Sequence, residues 1–497
     1  MPKISPFEEN LNKTQEEGVV EKIIDSLIYI EGLPNARVFE EILTEEGAKG
    51  FVFSVDRDHI ICLLTSSHKP KKGSKVVRTD ELVKVRLGSG LLGHVIDPYG
   101  NSLDRSNPIS NAKDFRILDA DVPTIKDRAV IDRSLHTGVT VVDMMVPLGK
   151  GQRELVIGER GTGKNWFVNS VVKTQAQDGV ICIYCAIGKK KSAIESNIKI
   201  LNSSVGAKNI ISLVTYANDS LGLTYLAPYA AMTIAEYFKD QGKDVLVVYD
   251  DLGMHAKVYR EISLLSKRFP GRNSYPSDIF FTHSKLLERS GNFKHKDTSV
   301  SITCLPIVES VGGDISGYVQ TNLMSMTDGH IFFDIDLYNQ GVRPAINYFL
   351  SVTRVGRQTQ TAIRYKINRE LTAILSLYEK TKSFIHFGAE ISEGVRLNLR
   401  LGEKLNQFFD QTGDVIVPNN IQILVFSLIW SQRWDSYDKD QVQNELKRII
   451  YIYENDSAFK KLVDSMVSDA EDLNSFLNLY LKNEAQVSER IFPKKKK

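Results

Sequence analysis

Residues Gly158-Glu159-Arg160-Gly161-Thr162-Gly163-Lys164-Asn165 form a glycine-spaced run between an apolar strand-like segment, Glu154 to Ile157, and a segment able to start a helix at Trp166. Two readings fit the run: a phosphate cradle, or a plain glycine-rich turn. Both require an α/β domain around it. The lysine after the second glycine of the G-x-x-x-x-G-K core favours the cradle, which works by wrapping backbone N–H groups around phosphates at a helix N-terminus. Lys164 adds a point charge for the outer phosphates. A Ser or Thr normally follows that lysine and coordinates Mg²⁺, and here Asn165 stands instead. The expectation is a loop that holds ATP or ADP with weakened Mg²⁺ binding and without efficient turnover.

At 497 residues the chain is too long for one core. Segment 1–17 reads as a polar N-terminal extension. Segment 18–90 has short apolar runs, such as Ile28 to Ile30, Gly50 to Val55 and His59 to Leu64, separated by turn residues, the pattern of a small β-barrel or sandwich. Segment 91–361 alternates strand, loop and helix. Its candidate core strands are Leu155 to Ile157, Val180 to Ile187, Ile210 to Val214, Asp244 to Asp250 and Ser301 to Leu305, which predict a mainly parallel sheet covered on both faces. Segment 362–482 reads helical: Ile421, Leu424, Val425, Leu428 and Ile429 recur at helical spacing, as do Phe459, Leu462, Val463, Met466, Ala470, Leu473 and Leu477. Asp456-Ser457 offers an N-cap for the second run. Segment 483–497 is a basic tail ending in Lys494 to Lys497, by default a solvated end. The fold class is therefore a multidomain chain: N-terminal β-barrel, central α/β phosphate-loop domain, C-terminal α-helical bundle.

A hydrophobic content of 42% and a charged content of 25% are those of an ordinary globular protein. The formal net charge of +2 gives no global electrostatic case for nucleic acid. No run of roughly 18 apolar residues is present, so a transmembrane segment is not expected. Any membrane association is expected to come through partners. Cys182 and Cys185 form a C-x-x-C, but on a strand positions three apart face opposite ways, so structural thiols are expected.

Asp250 ends the apolar run Asp244 to Asp250, where such folds place a magnesium-directed acid; the alternative for the Asp250-Asp251 pair is helix capping. A hydrolase of this design also needs a carboxylate to orient the attacking water. In related ring ATPases that acid follows the strand after the phosphate loop, and the corresponding segment here is Gly188-Lys189-Lys190-Lys191. Protonated ammonium groups accept nothing. Arg354 follows the apolar run Ile346 to Val352 and, by spacing alone, reads as a surface ion-pairing residue.

Several segments resemble the α subunit of F-type ATP synthases. They are His136-Thr137-Gly138 with Val142-Asp143, Val146 to Leu155, the phosphate loop, Tyr249-Asp250-Asp251-Leu252, Phe269-Pro270-Gly271-Arg272 with Tyr275-Pro276, His283 to Arg289, Asn322 with Thr327-Asp328-Gly329, Gly341 to Asn347, and Ser351 to Gly356. They run in order along most of the chain. In that family three α and three β subunits alternate in a ring around a rotating γ-like stalk, and α sites hold nucleotide while catalysis sits mainly on β. The resemblance implies that Gly158 to Asn165, with Trp166, cradle phosphates, that Asp250 faces Mg²⁺ through water, and that Arg343, Pro344 and Gln411 border the nucleotide. It also implies that Ser351 and Arg354 reach the neighbouring catalytic β-type site, Arg354 as an arginine finger. Peripheral-stalk or membrane-linked partners are further implied.

The sequence departs from that pattern in several places. Asn165 replaces the hydroxyl, Lys189 stands where the family has Gln, and Gly413 takes the place of a second glutamine beside Gln411. The segment before Glu17 is short and lacks a clear amphipathic helix of the kind that docks the peripheral stalk's δ subunit in that family. Such a divergent chain is similar to the α-like subunits of F-type-like ATPases of some wall-less bacteria, some of which drive motility without a proton channel. The competing classes are a self-sufficient ring ATPase, such as a protein-export motor, which would need an acceptor carboxylate at 189 and a hydroxyl at 165, and an RNA translocase, which would need a basic, aromatic-lined pore.

Overall fold

Strand-forming residues between Gly18 and Leu82 close into a barrel in the computed structural model, which describes residues 5–104, 106–385, 393–411, 413 and 415–491. Its strands are β1 (Gly18–Ile24), β2 (Leu27–Glu31), β3 (Glu40–Thr44), β4 (Lys49–Val55), β5 (Ile60–Leu64) and β6 (Lys75–Leu82), in the order β1-β2-β5-β4-β3-β6. Closure comes from β1 pairing antiparallel with β6, Gly18 opposite Val76 and Val19 opposite Lys75. Inward-facing Val20, Ile28, Ile30, Ile42, Val52, Cys62, Leu64 and Val76 fill the barrel. A short helix, Pro6–Thr14, precedes it, started by a capping box between Ser5 and Glu8, and none of its residues is buried.

The chain divides into two compact units. The first comprises residues 1–130, 151–157 and 175–328, so the barrel and most of the sheet share it. The sheet strands in this unit are β7 (Val95–Ile96), β8 (Glu154–Gly158), β9 (Ile181–Lys189), β10 (Ile210–Tyr216), β11 (Val245–Asp250), β12 (Gly291–His295) and β13 (Thr298–Glu309). Their order is β8-β13-β11-β9-β10-β7, with β12 paired to β13. The pairs β11–β13, β11–β9, β9–β10 and β10–β7 are parallel, as the near-continuous apolar strands predicted. The β12–β13 hairpin is antiparallel. Polar alternation hid β12 in the sequence, and β13 runs on to Glu309, past the expected Leu305.

Barrel and sheet meet on the helix Leu221–Asp240. At Gly222 an added Cβ would lie 2.5 Å from the Leu64 carbonyl oxygen, so only glycine lets that helix approach β5. One turn further, Tyr225 packs edge-on against Phe53 at 5.8 Å and stacks with Phe51 at 6.3 Å. His255 and His283 lie fully enclosed beside this cluster, joined through Nδ1 and Nε2 at 3.1 Å. Cys182 and Cys185 are both buried on β9, where burial pushes their thiols up, so the C-x-x-C is structural.

The second unit comprises residues 131–150, 158–174 and 329–497. It holds the phosphate loop, the antiparallel pair Gly329–Phe333 with Val352–Thr353, and the C-terminal helices. The segment expected as one α/β domain is thus shared between both units. The helix Asn419–Trp430 is buried from Ile421 to Ile429 because its sequence is apolar apart from Gln422 and Ser427, whose side chains are hydrogen-bonded. Asp456 caps the helix Ser457–Asp469, its carboxylate accepting from the Ala458 and Phe459 N–H groups at 2.9 and 3.0 Å. The apolar run starting at Phe459 does not make a single helix. A new capping box between Asp472 and Ser475 restarts it as Leu473–Lys482, which resets the buried face to Leu473, Phe476 and Tyr480. Lys494 to Lys497 lie outside the described residues. Among the described residues no helix is long and apolar enough to cross a membrane.

Candidate functional site

The phosphate loop lies in the second unit. Its helix, Lys164–Gln177, starts two residues earlier than Trp166. Gly161 and Gly163 have φ values of +87° and +102°, and an added Cβ at either would meet nothing within 4 Å. The backbone therefore needs glycine for its conformation and leaves open space over the loop. Gly158 has the opposite constraint: an added Cβ would lie 2.4 Å from the Phe333 carbonyl oxygen. Glu159 is half-buried, and Arg160 and Asn165 are exposed. Thr162 Oγ1 donates to the Glu159 carbonyl at 2.7 Å. Lys164 is buried, and its ammonium curls back to donate to the carbonyls of Gly158 and Glu159 at 2.8 and 2.6 Å.

The second unit also holds the other residues expected to border a nucleotide, Trp166, Arg343, Pro344 and Gln411. Trp166 Nε1–H donates to the Gly413 carbonyl at 2.6 Å. The Gln411 N–H donates to the Arg343 carbonyl at 2.6 Å. Arg343 lies flat over Tyr338, 3.6 Å from the ring centroid, and donates to the carbonyls of Tyr338 and Val342 at 2.8 Å each. Pro344 is buried behind it.

Gln411 has a task that the resemblance did not imply. Its Oε1 accepts from Thr140 N and Oγ1 at 3.0 and 3.2 Å, and its Nε2 donates to Gly138 and Val415. Every polar position of the amide is used inside the unit. Beside it, Asp143, buried at 4% exposure, accepts four hydrogen bonds: two from Thr137 at 2.8 and 2.6 Å, one from Gly138 N at 3.1 Å, and one from Gln422 Nε2 at 2.9 Å. Sequence reasoning gave Asp143 no role; its one signal was the Thr-Gly segment before it.

The first unit holds Asp250 at the carboxyl end of β11, only 1% exposed. Its carboxylate accepts from the Tyr184 hydroxyl and from the Lys189 ammonium. Asp250 sits opposite Ala186 in the β9–β11 pairing, and the β9–β10 register shifts between Ala186 and Lys189. Gly188, at φ +60°, makes that irregularity, and its N–H donates to Thr215 Oγ1 at 3.0 Å. The bulge lets the Lys189 side chain return over the strand ends. Asp251 caps the helix Leu252–Leu265 through Gly253 N at 2.6 Å. Burial, and then the neighbouring Asp250 charge, push the Asp251 carboxyl up to about 6. The two readings of the acidic pair thus divide: Asp251 caps, and Asp250 is held by a lysine.

Arg354 is exposed, and among the described residues no hydrogen-bond or ion-pair partner engages it. Burial, and to a lesser degree the Arg354 charge, keep His330 low. Ser351 turns inward instead. Its hydroxyl accepts from Phe332 N at 2.9 Å and donates to the Asn347 carbonyl at 2.7 Å, which fixes the turn that presents Arg354.

A β-barrel, a mainly parallel sheet with a phosphate loop, and a helical C-terminal region together define a nucleotide-binding chain of the phosphate-loop class. Residues 138–353 match the nucleotide-binding domain of the ATP synthase alpha/beta family. ATP synthase subunit alpha of Neorickettsia sennetsu is 36% identical over 488 residues, covering 96% of this chain and 95% of that one. The subunit alpha of Acholeplasma laidlawii is 38% identical, covering 87% and 86%, and subunit alpha 1 of Chlorobium luteolum is 38% identical, covering 88% and 85%. The chain belongs to the family of ATP synthase alpha subunits.

Proposed function

We propose that this chain is the non-catalytic, nucleotide-binding α-type subunit of a rotary F-type-like ATPase. It alternates with a catalytic β-type subunit in a three-plus-three ring around a γ-like rotor, and any membrane association comes through partner subunits. The names of its relatives support the α assignment. The loop supports adenine-nucleotide binding: open glycines, a helix N-terminus and a poised lysine suit phosphate.

One observation carries the non-catalytic part. The position that would have to orient an attacking water holds Lys189, and its ammonium is engaged by Asp250. A protonated amine bound to a carboxylate cannot accept a proton from water. Arg354 supports a further role as an arginine finger in the neighbouring catalytic site, since its exposed guanidinium has no hydrogen-bond or ion-pair partner among the described residues.

The test is reconstitution. The purified chain should bind adenine nucleotide with negligible hydrolysis, and a catalytic β-type partner should restore turnover. Brisk hydrolysis by the isolated chain would defeat the proposal.

A further inference from the structure

The turn that follows Arg354 and the first half of the next helix build a polar groove inside the second unit, and no step of the proposed function uses it. The helix Ala362–Ile385 sets Tyr365, Asn368, Arg369, Thr372 and Ser376 on one face through three- and four-residue spacing. Arg357 joins them from the 3₁₀ turn Gly356–Thr359, and together they line a cleft of about 290 Å³. Both sides of the cleft are fastened to one short stretch of chain. Asn368 Nδ2 donates to the Met144 and Met145 carbonyls at 2.5 and 3.2 Å. On the turn side, Thr353 Oγ1 donates to the Pro147 carbonyl at 2.9 Å and accepts from Gly356 N at 3.1 Å. An added Cβ at Gly356 would lie 1.6 Å from that same carbonyl oxygen, so the turn seats there only with glycine. The spacing of the two arginine-bearing backbones is therefore set by the fold before any ligand arrives.

The charge of the groove is one-sided. Among the described residues that line it there is no carboxylate, and the two acids of the helix, Glu370 and Glu379, stand outside the lining. Neither the Arg357 nor the Arg369 guanidinium has a hydrogen-bond, ion-pair or ring partner among the described residues. Two cations sharing a cleft without a counter-charge repel each other, and an arriving anion relieves that repulsion while pairing with both. Thr372 has its hydroxyl committed to the Asn368 carbonyl at 2.7 Å, whereas the Tyr365 and Ser376 hydroxyls add donors to the lining.

We propose that this groove is an oxyanion site that takes a free phosphate or pyrophosphate ion between Arg357 and Arg369. Guanidinium forks match phosphate oxygens in bidentate pairs, and a multiply charged phosphate answers two guanidiniums where a carboxylate answers one. The size agrees: about 290 Å³ is at the lower end for small-molecule sites, room for one or two phosphates and too little for a base and ribose besides. The groove shares no lining residue with the phosphate loop, so the assignment stands apart from the nucleotide-binding reading.

The experiment is equilibrium dialysis of radiolabelled pyrophosphate at physiological ionic strength, using the full-length chain with Lys164→Ala to weaken the phosphate loop. Binding should persist in that background, and pyrophosphate should bind more tightly than phosphate because it spans both guanidiniums. Arg357→Ala and Arg369→Ala, each added to it, should lower the affinity by about tenfold or more. Arg369→Lys should recover only part of the loss, since an ammonium lacks the fork. Both arginines are exposed, so urea midpoints should not move. A measurement that needs no groove variant is phenylglyoxal modification mapped by mass spectrometry, in which pyrophosphate should protect Arg357 and Arg369. Absent binding, or binding and protection indifferent to the double Arg357→Ala, Arg369→Ala change, overturns the proposal. Displacement of pyrophosphate by an equal concentration of a glutamate-rich peptide overturns the phosphate assignment and gives the groove to an acidic protein segment.

Discussion

The indole N–H of Trp166 donates to the Gly413 carbonyl at 2.6 Å, which ties the first turn of the loop's helix to the segment carrying Gln411. Phosphate arriving at the loop must disturb that turn. Trp166 emission should therefore shift on nucleotide addition, whereas half-buried Trp430 and fully buried Trp434 should contribute a constant background. Trp166→Phe should abolish the shift and weaken binding by roughly threefold to tenfold, the worth of one hydrogen bond. Emission that ignores saturating nucleotide would contradict this.

Arg354 should matter only in the assembled ring. Arg354→Ala should leave nucleotide binding by the isolated chain unchanged and lower turnover of the reconstituted complex by about 10³–10⁵. Arg354→Lys should recover little, because an ammonium lacks the planar fork of a guanidinium. Size-exclusion chromatography of each ring checks that assembly is intact. Turnover unaffected in Arg354→Ala would remove the residue from the neighbour's chemistry.

Asp143 is a stability prediction. Asp143→Ala strands the buried Thr137 and Gly138 N–H groups and takes one acceptor from the Thr137 hydroxyl and the Gln422 amide, which keep the Val139 and Val417 carbonyls. Burial already holds Arg364 down to about 10, with the Asp143 charge acting against that fall. The loss should be on the order of 3 kcal/mol or more, read as a lower urea midpoint for the second unit. Gln422→Leu should be costly as well, because it removes the Oε1 that accepts from the buried Arg364 guanidinium along with one donor to Asp143.

The His255–His283 pair should make the first unit acid-sensitive. Burial holds His255 down to about 4 and His283 well below its ordinary value, so both fold as neutral imidazoles. A depressed histidine binds fewer protons folded than unfolded, so its stabilisation is complete above about pH 6.5 and fades as pH falls toward 4. His255 alone should lose on the order of 2 kcal/mol between pH 7.5 and 5, with His283 adding to the loss, and His255→Gln should make that slope shallower. Urea titrations at the two pH values provide the measurement. An equally steep slope in the variant would assign the acid sensitivity elsewhere.

The phosphate loop was legible because its chemistry is local: glycines at Gly161 and Gly163 are there for their φ values, and Lys164 follows in sequence. The barrel, the parallel strands and the Asp456 cap were legible for the same reason, through periodicity and turn residues. Lys189 was legible only as something missing, since its engagement with Asp250 depends on a parallel pairing across some sixty residues and on a bulge at Gly188. Gln411 was read from resemblance as bordering the nucleotide and Ser351 as reaching a neighbouring site; the internal hydrogen bonds that both side chains make could not be read from the sequence. Side-chain amides and hydroxyls carry no direction in a sequence; their partners at Gly138, Thr140 and Phe332 supply it.

Because β1 and β6 join through Gly18 and Val19, the N-terminal barrel exposes no free row of main-chain donors and acceptors along a lateral edge. Neighbouring protomers cannot extend it by strand addition, and runaway fibrous stacking has no template there. Any partner that grips this end of the molecule has to read side chains, so recognition at that collar is set by surface chemistry that substitution can retune without unravelling the ladder beneath.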